Sequence, residues 1–247
     1  MSPPAFVRAP VTVVGAAAGG RRCATMEAMA TDPRSTRFPR RAWVVAGVAA
    51  ALAAALPVVP APASNDPFTN ELWGLSRIRA EAAWARSTGV GIKIGIVDSG
   101  VDRNHPDLAG RVAAAANCVN TGGQASRCSG DGADIDGHGT HVAGTAVAVS
   151  NNGAGVAGVA PSAQVVVARV FQKDSSGDTV ADLDDVEAGI RWVVQQGAKV
   201  VNLSLGVDGI KLPLLGSGEN PLGAAIEYAW ANDAIPVIAS GNSNQAL

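Results

Sequence analysis

The chain has 247 residues, of which 47% are hydrophobic and 16% are charged, a composition that can bury one sizeable core and argues against disorder throughout. The formal net charge of −2 hides an asymmetry, because residues 1–42 carry +5 and the rest of the chain carries −7. An acidic body of this kind argues against nucleic acid as a partner.

The N-terminal segment has the three regions of a secretory signal peptide. Four arginines between Arg34 and Arg41 lead into an uncharged run rich in Ala, Val and Leu, and small residues and prolines follow up to Ser64. We interpret residues 1–41 as a leader with the basic region and residues 42–64 as the hydrophobic region and cleavage site.

This interpretation places the mature domain at residues 65–247 and outside the cell, with only transient contact with the membrane. A true start at Met26 or Met29 would shorten the leader to the usual length of a signal peptide's charged region. The alternative is a membrane anchor, since the uncharged run approaches the ~20 residues that span a bilayer. Pro57 and the small residues that follow favour cleavage.

After the export segment, apolar runs that suit strands alternate with helical patterns, which is typical of βαβ units. In chain order, the pattern predicts strands over 92–97, 164–170, 199–203 and 235–239, helices over 140–149, 183–194 and 222–230, and a surface loop over 120–136. The predicted fold class is α/β, a doubly wound and mostly parallel sheet with helices on both faces. In such sheets the chemistry collects beyond the carboxyl ends of strands.

Two cysteines belong to the part of the chain predicted to be exported. Cys23 falls in the leader, which leaves Cys118 and Cys128 as an even pair. Disulfides persist in oxidising compartments, so we expect a bond between these two, free thiols being the alternative. The bond would restrain the loop that leads to His138 and stabilise the fold by about 2–4 kcal/mol.

Two motifs place an aspartate, Asp98, ahead of a histidine, His138, along the chain. Asp98 ends the first predicted strand within Val-Asp-Ser-Gly, and His138 lies within Gly-His-Gly-Thr-His, where a loop enters a helix. A carboxylate at the end of a buried strand can orient a histidine ring and stabilise its protonated form. A histidine that projects into a cleft can transfer a proton near neutral pH.

These residues resemble the subtilisin-like serine proteases, the subtilase family, whose triad runs Asp, His, Ser along the chain. The resemblance extends over 65–242 and rests also on Asn-Leu-Ser-Leu-Gly at 202–206 and Ala-Ser-Gly-Asn at 239–242. It implies that Asp98 orients the general base His138.

The resemblance assigns roles to the later motifs as well. It implies that Asn242 donates a hydrogen bond to the oxyanion during catalysis. It implies that a peptide or protein substrate binds in extended form along two segments. The first is a substrate-pairing strand with Asn202, Ser204, Leu205 and Gly206, and the second is a wall of the specificity pocket with Ala239, Ser240 and Gly241.

Other interpretations of the two catalytic motifs explain fewer residues. A two-histidine zinc helix needs a spacing of four with a Glu between, whereas His138 and His141 are three apart with none, so His141 is interpreted as structural. Asp-Ser-Gly is also the signature turn of aspartic proteases, but no second Asp here precedes Ser-Gly or Thr-Gly.

The resemblance further implies a structural calcium site. Asp107 and the loop that contains Asn151 and Asn152 correspond to the two halves of that site, and Ca²⁺ prefers carboxylate, amide and carbonyl oxygens. The loop is one residue longer than its common form, which leaves open which asparagine binds. No organic cofactor is implied.

The family carries its nucleophile in a Gly-Thr-Ser segment that follows the element with Asn242, and the 247 residues contain no such segment. We therefore expect a C-terminally incomplete catalytic domain without triad-dependent hydrolysis. The full-length product would be a secreted, monomeric serine endopeptidase. The alternative is a non-catalytic secreted protein that binds peptides in the same groove.

Overall fold

The computed structural model of the chain describes residues 65–206 and 221–240. In this part of the chain a five-stranded sheet organises the fold, and a separate antiparallel hairpin lies outside it. The sheet strands are β1 (Lys93–Asp98), β2 (Val112–Asn117), β3 (Gln164–Arg169), β6 (Val200–Leu203) and β7 (Ile235–Ile238), and the hairpin strands are β4 (Phe171–Lys173) and β5 (Thr179–Ala181). All neighbouring strands of the large sheet are parallel, in the order β2-β3-β1-β6-β7.

Three longer helices cover the sheet, and short helices lie in its connections. The α-helices are α1 (Trp73–Arg77), α2 (Ala80–Trp84), α3 (His138–Val147), α4 (Leu183–Gln195) and α5 (Pro221–Ala231), with 3₁₀ turns at Thr69–Glu71, Pro106–Leu108 and Ala125–Arg127. The Asp182 side chain caps α4 by accepting the N–H of Asp184 at 3.0 Å. None of the helices in the described residues has the length and apolar character needed to cross a membrane.

The core lies on both faces of the sheet because successive strand residues point to opposite sides. Ile96 belongs to the cluster that includes Val147 of α3, whereas the next residue, Val97, belongs to the cluster that includes Val186 and Val193 of α4. The predicted doubly wound α/β class, with helices on both faces, is therefore confirmed.

Some elements differ from the sequence-based predictions. Strand β2 was not predicted, because its Ala-rich sequence favours a helix until pairing with β3 overrides that preference. The β4–β5 hairpin was also not predicted. Helix α3 begins at His138 and ends at Val147, whereas the predicted helix spanned 140–149.

The strand order positions the functional edge of the sheet. The chain leaves β1 toward β3 and β2 on one side, and β6 and β7 lie on the other side. The carboxyl end of β1 is thus the point at which the order reverses, and ligands of open α/β sheets bind at such points. Asp98 is the last residue of β1.

Candidate active site

Asp98 is completely buried at the end of the central strand. Its Oδ1 accepts the backbone N–H of Ser99 at 2.7 Å. Gly100 follows with φ of 120°, and a Cβ at Gly100 would come within 2.5 Å of the Ala133 carbonyl oxygen. The turn after Asp98 therefore needs glycine and is pressed against the loop that leads to His138.

His138 is the first residue of α3 and reaches Asp98 from the side. Gly137, the residue before the helix, has φ of 92°, and Gly139 is packed so closely that a Cβ there would overlap the carbonyl oxygen of Gly100. This close approach brings His138 Nδ1 to 2.6 Å from Asp98 Oδ1. The His138 side chain is 50% exposed.

The electrostatics of the pair suit a base. The hydrogen bond to Asp98 raises the pKa of His138 above its usual value of 6.5, against an opposing effect of burial, and the charges of Asp98, Asp136 and Asp134 raise it further. A carboxylate only accepts hydrogen bonds, so Nδ1 carries the proton and Nε2 is left with its lone pair. The arrangement can take a proton at Nε2 and stabilise the resulting imidazolium.

We expect this ion pair to stabilise the fold most at acidic pH. Because the pKa of His138 is raised on folding, the folded state binds more protons than the unfolded state between pH 6.5 and that raised pKa. The stabilisation is therefore complete below both pKa values and is lost as pH rises through the folded one. The check is the free energy of unfolding of the chain minus that of His138→Gln, which should shrink from about pH 5 to about pH 9. A difference that grows with pH would contradict the pairing.

The predicted substrate-binding segments continue from two neighbouring strands at the same edge. Leu203 of β6 is in register with Ile238 of β7, and the N–H of Ala239 donates to the Leu203 carbonyl at 3.1 Å. The Asn202 amide donates to Ser204 Oγ at 2.8 Å. The segments that begin at Ser204 and Ala239 therefore start side by side at the carboxyl edge that Asp98 also occupies.

The remaining residues of these two segments lie partly within the described structure. Leu205 is buried, and Gly206 and Ser240 are exposed. Gly241 and the predicted oxyanion donor Asn242 lie outside the described residues. Their roles stay predictions.

The predicted calcium ligands lie near one another, and a second buried carboxylate that sequence reasoning did not single out, Asp66, lies beside them. Asp107, which is buried, has its Oδ2 2.9 Å from the N–H of Val156 and its Oδ1 3.4 Å from Asn152 Nδ2. Asp66 is equally buried and accepts the N–H groups of Asn151 and Asn152 at 2.9 and 3.0 Å. The N-terminal segment of the described chain thus reaches the same loop as Asp107.

This site has the oxygen chemistry that a hard cation requires. Two buried carboxylates lie on either side of Asn152, and a Cβ at Gly155 would overlap the carboxylate of Asp107. Both asparagine amide oxygens accept a backbone N–H, Asn151 Oδ1 that of Asn65 at 3.1 Å and Asn152 Oδ1 that of Ala154 at 2.9 Å. Of the two side chains, that of Asn152 is the one bonded to Asp107, through its Nδ2. Within the described residues no three His, Cys, Asp or Glu side chains converge as a metal site, so amide and carbonyl oxygens would have to complete the coordination.

The structure joins Cys118 and Cys128 in a disulfide. A buried carboxylate fastens the same loop to α4, because Asp185 accepts the N–H of Asn120 at 2.9 Å and the N–H of Thr121 at 3.0 Å. Sequence reasoning did not single out Asp185. Its partners lie more than 60 positions away, so no local pattern marks it.

A parallel α/β sheet whose order reverses at a buried aspartate, with a histidine from a helix start bonded to that aspartate, is the Asp–His arrangement of a serine hydrolase. Comparison with known proteins assigns the family. The subtilase family (Peptidase_S8) matches residues 89–247. The chain belongs to the subtilase family.

Individual relatives agree with this assignment. Thermitase of Thermoactinomyces vulgaris is 41% identical over 180 residues, which cover 72% of this chain and 58% of thermitase. A protease structure from Pseudoalteromonas arctica PAMC 21717 has a TM-score of 0.59 and 30% identity, covering 74% of this chain and 60% of that one. Fervidolysin of Fervidobacterium pennivorans, described as a keratinolytic enzyme related to subtilisin, has a TM-score of 0.55 and 34% identity over 70% of this chain and 24% of its own. The chain spans less than two thirds of the length of each of these relatives.

Proposed function

We propose that this chain supplies the acid–base pair, the substrate-binding strands and a structural calcium site of a secreted serine endopeptidase. The observation that carries the proposal is the 2.6 Å contact between His138 Nδ1 and the buried Asp98 Oδ1 at the end of the central strand. Family membership supports the reaction type.

The proposed reaction is acyl transfer to a serine encoded beyond Leu247. The serine Oγ attacks the peptide carbonyl carbon while Nε2 of His138 takes the hydroxyl proton, and Asp98 stabilises the imidazolium. His138 then gives that proton to the leaving amine as the C–N bond breaks. Water hydrolyses the acyl-enzyme by the same proton transfers, and Asn242 is the proposed donor to the oxyanion.

The proposed substrate is a peptide or protein segment in extended conformation. Residues 204–206 follow β6 past the sheet and can pair with such a segment, and a Cβ at Gly206 would meet no atom of the described residues within 4 Å. Ala239 and Ser240 begin the neighbouring wall, where their small side chains leave room for a large apolar side chain of the substrate. The enzyme would act as a monomer.

Calcium is proposed to bind between Asp66 and Asp107, with Asn152 as the amide ligand because its side chain lies against Asp107. Binding would require the amide to turn so that Oδ1, in place of Nδ2, faces the cation. When bound, it would neutralise two buried carboxylates and hold the N-terminal segment against the 149–156 loop. Its role would be structural.

We expect calcium to raise the melting temperature of the chain and a chelator to lower it. A ligand at 100 times its Kd stabilises the state that binds it by about 2.7 kcal/mol. Asp107→Asn should remove most of this increase. In the matched control Asp131→Asn, the exposed carboxylate that is lost accepts only the nearby N–H of Ala133 among the described residues, so the increase should persist. An equal calcium effect in both variants would exclude the proposed site.

The endopeptidase proposal is tested by sequencing the gene and by assaying its product. The DNA beyond the codon for Leu247 is read in all three frames for Gly-Thr-Ser, and the resulting product is assayed on peptides with and without a serine-reactive sulfonyl fluoride. Hydrolysis that the reagent blocks supports the proposal. A confirmed stop without such a segment, with peptide binding but no hydrolysis, would leave the non-catalytic alternative.

N-terminal sequencing of the exported protein tests the proposed cleavage near Ser64.

A further inference from the structure

Asp134 accepts five hydrogen bonds from three parts of the chain, although sequence reasoning gave it no role. Its Oδ1 lies 2.8 Å from Ser99 Oγ, 3.0 Å from the N–H of Gly137 and 3.2 Å from the N–H of Asp136. Its Oδ2 accepts both the backbone N–H of Thr140, at 2.8 Å, and the hydroxyl of Thr140. All four lone-pair directions of the carboxylate are therefore used.

Each of the two hydroxyl groups bonded to Asp134 also accepts a backbone N–H from across the gap between the segment that holds the acid and the segment that holds the base. Ser99 is the residue after Asp98, and its Oγ also accepts the N–H of Gly139 at 2.9 Å. The Thr140 hydroxyl in turn accepts the N–H of Asp102 at 2.8 Å. Asp134 thus joins the turn after β1 to the first residues of α3 through two separate hydroxyl groups.

The charge of Asp134 suits this role. Partial burial alone would raise its pKa, but hydrogen bonds from Thr140, Ser99 and Gly137 outweigh that effect and lower the pKa of Asp134 to about 2. The carboxylate is therefore ionised at every pH at which His138 titrates. Hydrogen bonds to an ionised acceptor are shorter and stronger than neutral ones, so the links hold the two segments firmly.

We infer that Asp134 is a positioning residue, which sets the separation of Asp98 and His138 by fastening the turn after β1 to the start of α3. The inference rests on the proposed function only in assigning catalytic use to that separation. The contacts themselves do not depend on it. Asp134 does not touch the reacting atoms in this role, because it acts through Ser99 and Thr140.

The first test is Asp134→Asn in the full chain, followed by NMR of the His138 ring. The Nδ1 proton of a histidine held by a carboxylate is protected from exchange with water and gives a separate downfield resonance. We expect this resonance to weaken or vanish in Asp134→Asn and the pKa of His138 to move toward 6.5. In Asp131→Asn, the matched carboxylate of the same loop, both should stay as in the parent chain.

A second pair of variants separates positioning from loss of charge, since Asp98, Asp136 and Asp134 all raise the pKa of His138 through their charges. Thr140→Val keeps every carboxylate and removes one of the two hydroxyl links. It should also weaken the Nδ1 resonance, and Thr140→Ser, which restores the hydroxyl, should recover it. These variants also decide the matter if Asp134→Asn does not fold.

A folded Asp134→Asn or Thr140→Val that keeps the parent Nδ1 resonance would overturn the inference and leave Asp134 a role in loop stability alone. The readout needs no peptide hydrolysis, so an inactive full-length product would overturn the proposed function without affecting this result. In an active product, Asp134→Asn should lower kcat by up to about 100-fold with little change in KM, the loss that slight misplacement of a catalytic group causes.

Discussion

Replacement of His138 by alanine is expected to remove peptide hydrolysis from the full-length enzyme almost completely. Loss of the corresponding base in subtilisin lowers kcat by about 10⁶-fold, and that relative supplies the magnitude expected here. The physical reason is that, among the described residues, His138 is the only histidine whose ring is bonded to the buried Asp98. Asp98→Asn should cost about 10⁴-fold, because an amide can no longer fix the ring tautomer.

The measurement is kcat and kcat/KM on a chromogenic peptide at neutral pH. His141→Gln is the matched control, since His141 is an exposed histidine one turn further along α3. We expect it to retain activity within about tenfold, because the hydrogen bonds of the Asp98 carboxylate go to Ser99 and His138 and not to His141. A His138→Ala enzyme that keeps a tenth of the parent activity would refute the assigned base.

Gly139→Ala is expected to damage stability and the catalytic pair together. The added methyl group would overlap the carbonyl oxygen of Gly100, and backbone on both sides leaves no flexible side chain to give way. Overpacking of this kind costs about 3 kcal/mol, at the upper end of its usual range. Because Gly139 follows His138 and Gly100 lies two residues after Asp98, relief of the overlap must move the two segments apart.

The matched control is Gly144→Ala in the same helix, where a Cβ would meet nothing within 4 Å. Alanine is the better helix former by about 1 kcal/mol, so this variant should be as stable as the parent or more so. The two variants are compared by urea unfolding and by the Nδ1 resonance of His138. Equal free energies of unfolding for Gly139→Ala and Gly144→Ala would contradict the close contact between Gly139 and Gly100.

The sequence predicts the fold class and the identity of the Asp–His pair because both are written in local patterns. Asp98 closes an apolar run, and His138 stands between glycines at a helix start, so each is visible without knowledge of the other. Their catalytic roles stay predictions. Asp66, Asp134 and Asp185 were missed because a carboxylate with a structural role is recognised by its donors, and most of those donors lie far away along the chain or are backbone N–H groups that every residue except proline possesses.

The same reasoning explains which elements were missed. Strand β2 is a run of alanines between Val112 and Asn117, and only its register with β3 makes it a strand. The β4–β5 hairpin is three residues long on each side, too short for a period of two to be seen. Nothing local distinguishes Asn151 from Asn152 as a calcium ligand, and their orientation depends on Asn65 and Asp107.

The Asp98–His138 pair and the proposed substrate contacts lie at the ends of different elements, which affects how such proteins can diverge. The proposed proton transfer depends on the end of β1 and the start of α3, whereas the proposed peptide contacts come from the ends of β6 and β7. Substitutions in residues 204–206 or at Ala239 and Ser240 can therefore alter which substrate side chain is accepted while the residues between 98 and 140 remain unchanged. Selection on substrate preference can therefore act on these strand ends while the proposed Asp98–His138 pair stays unchanged.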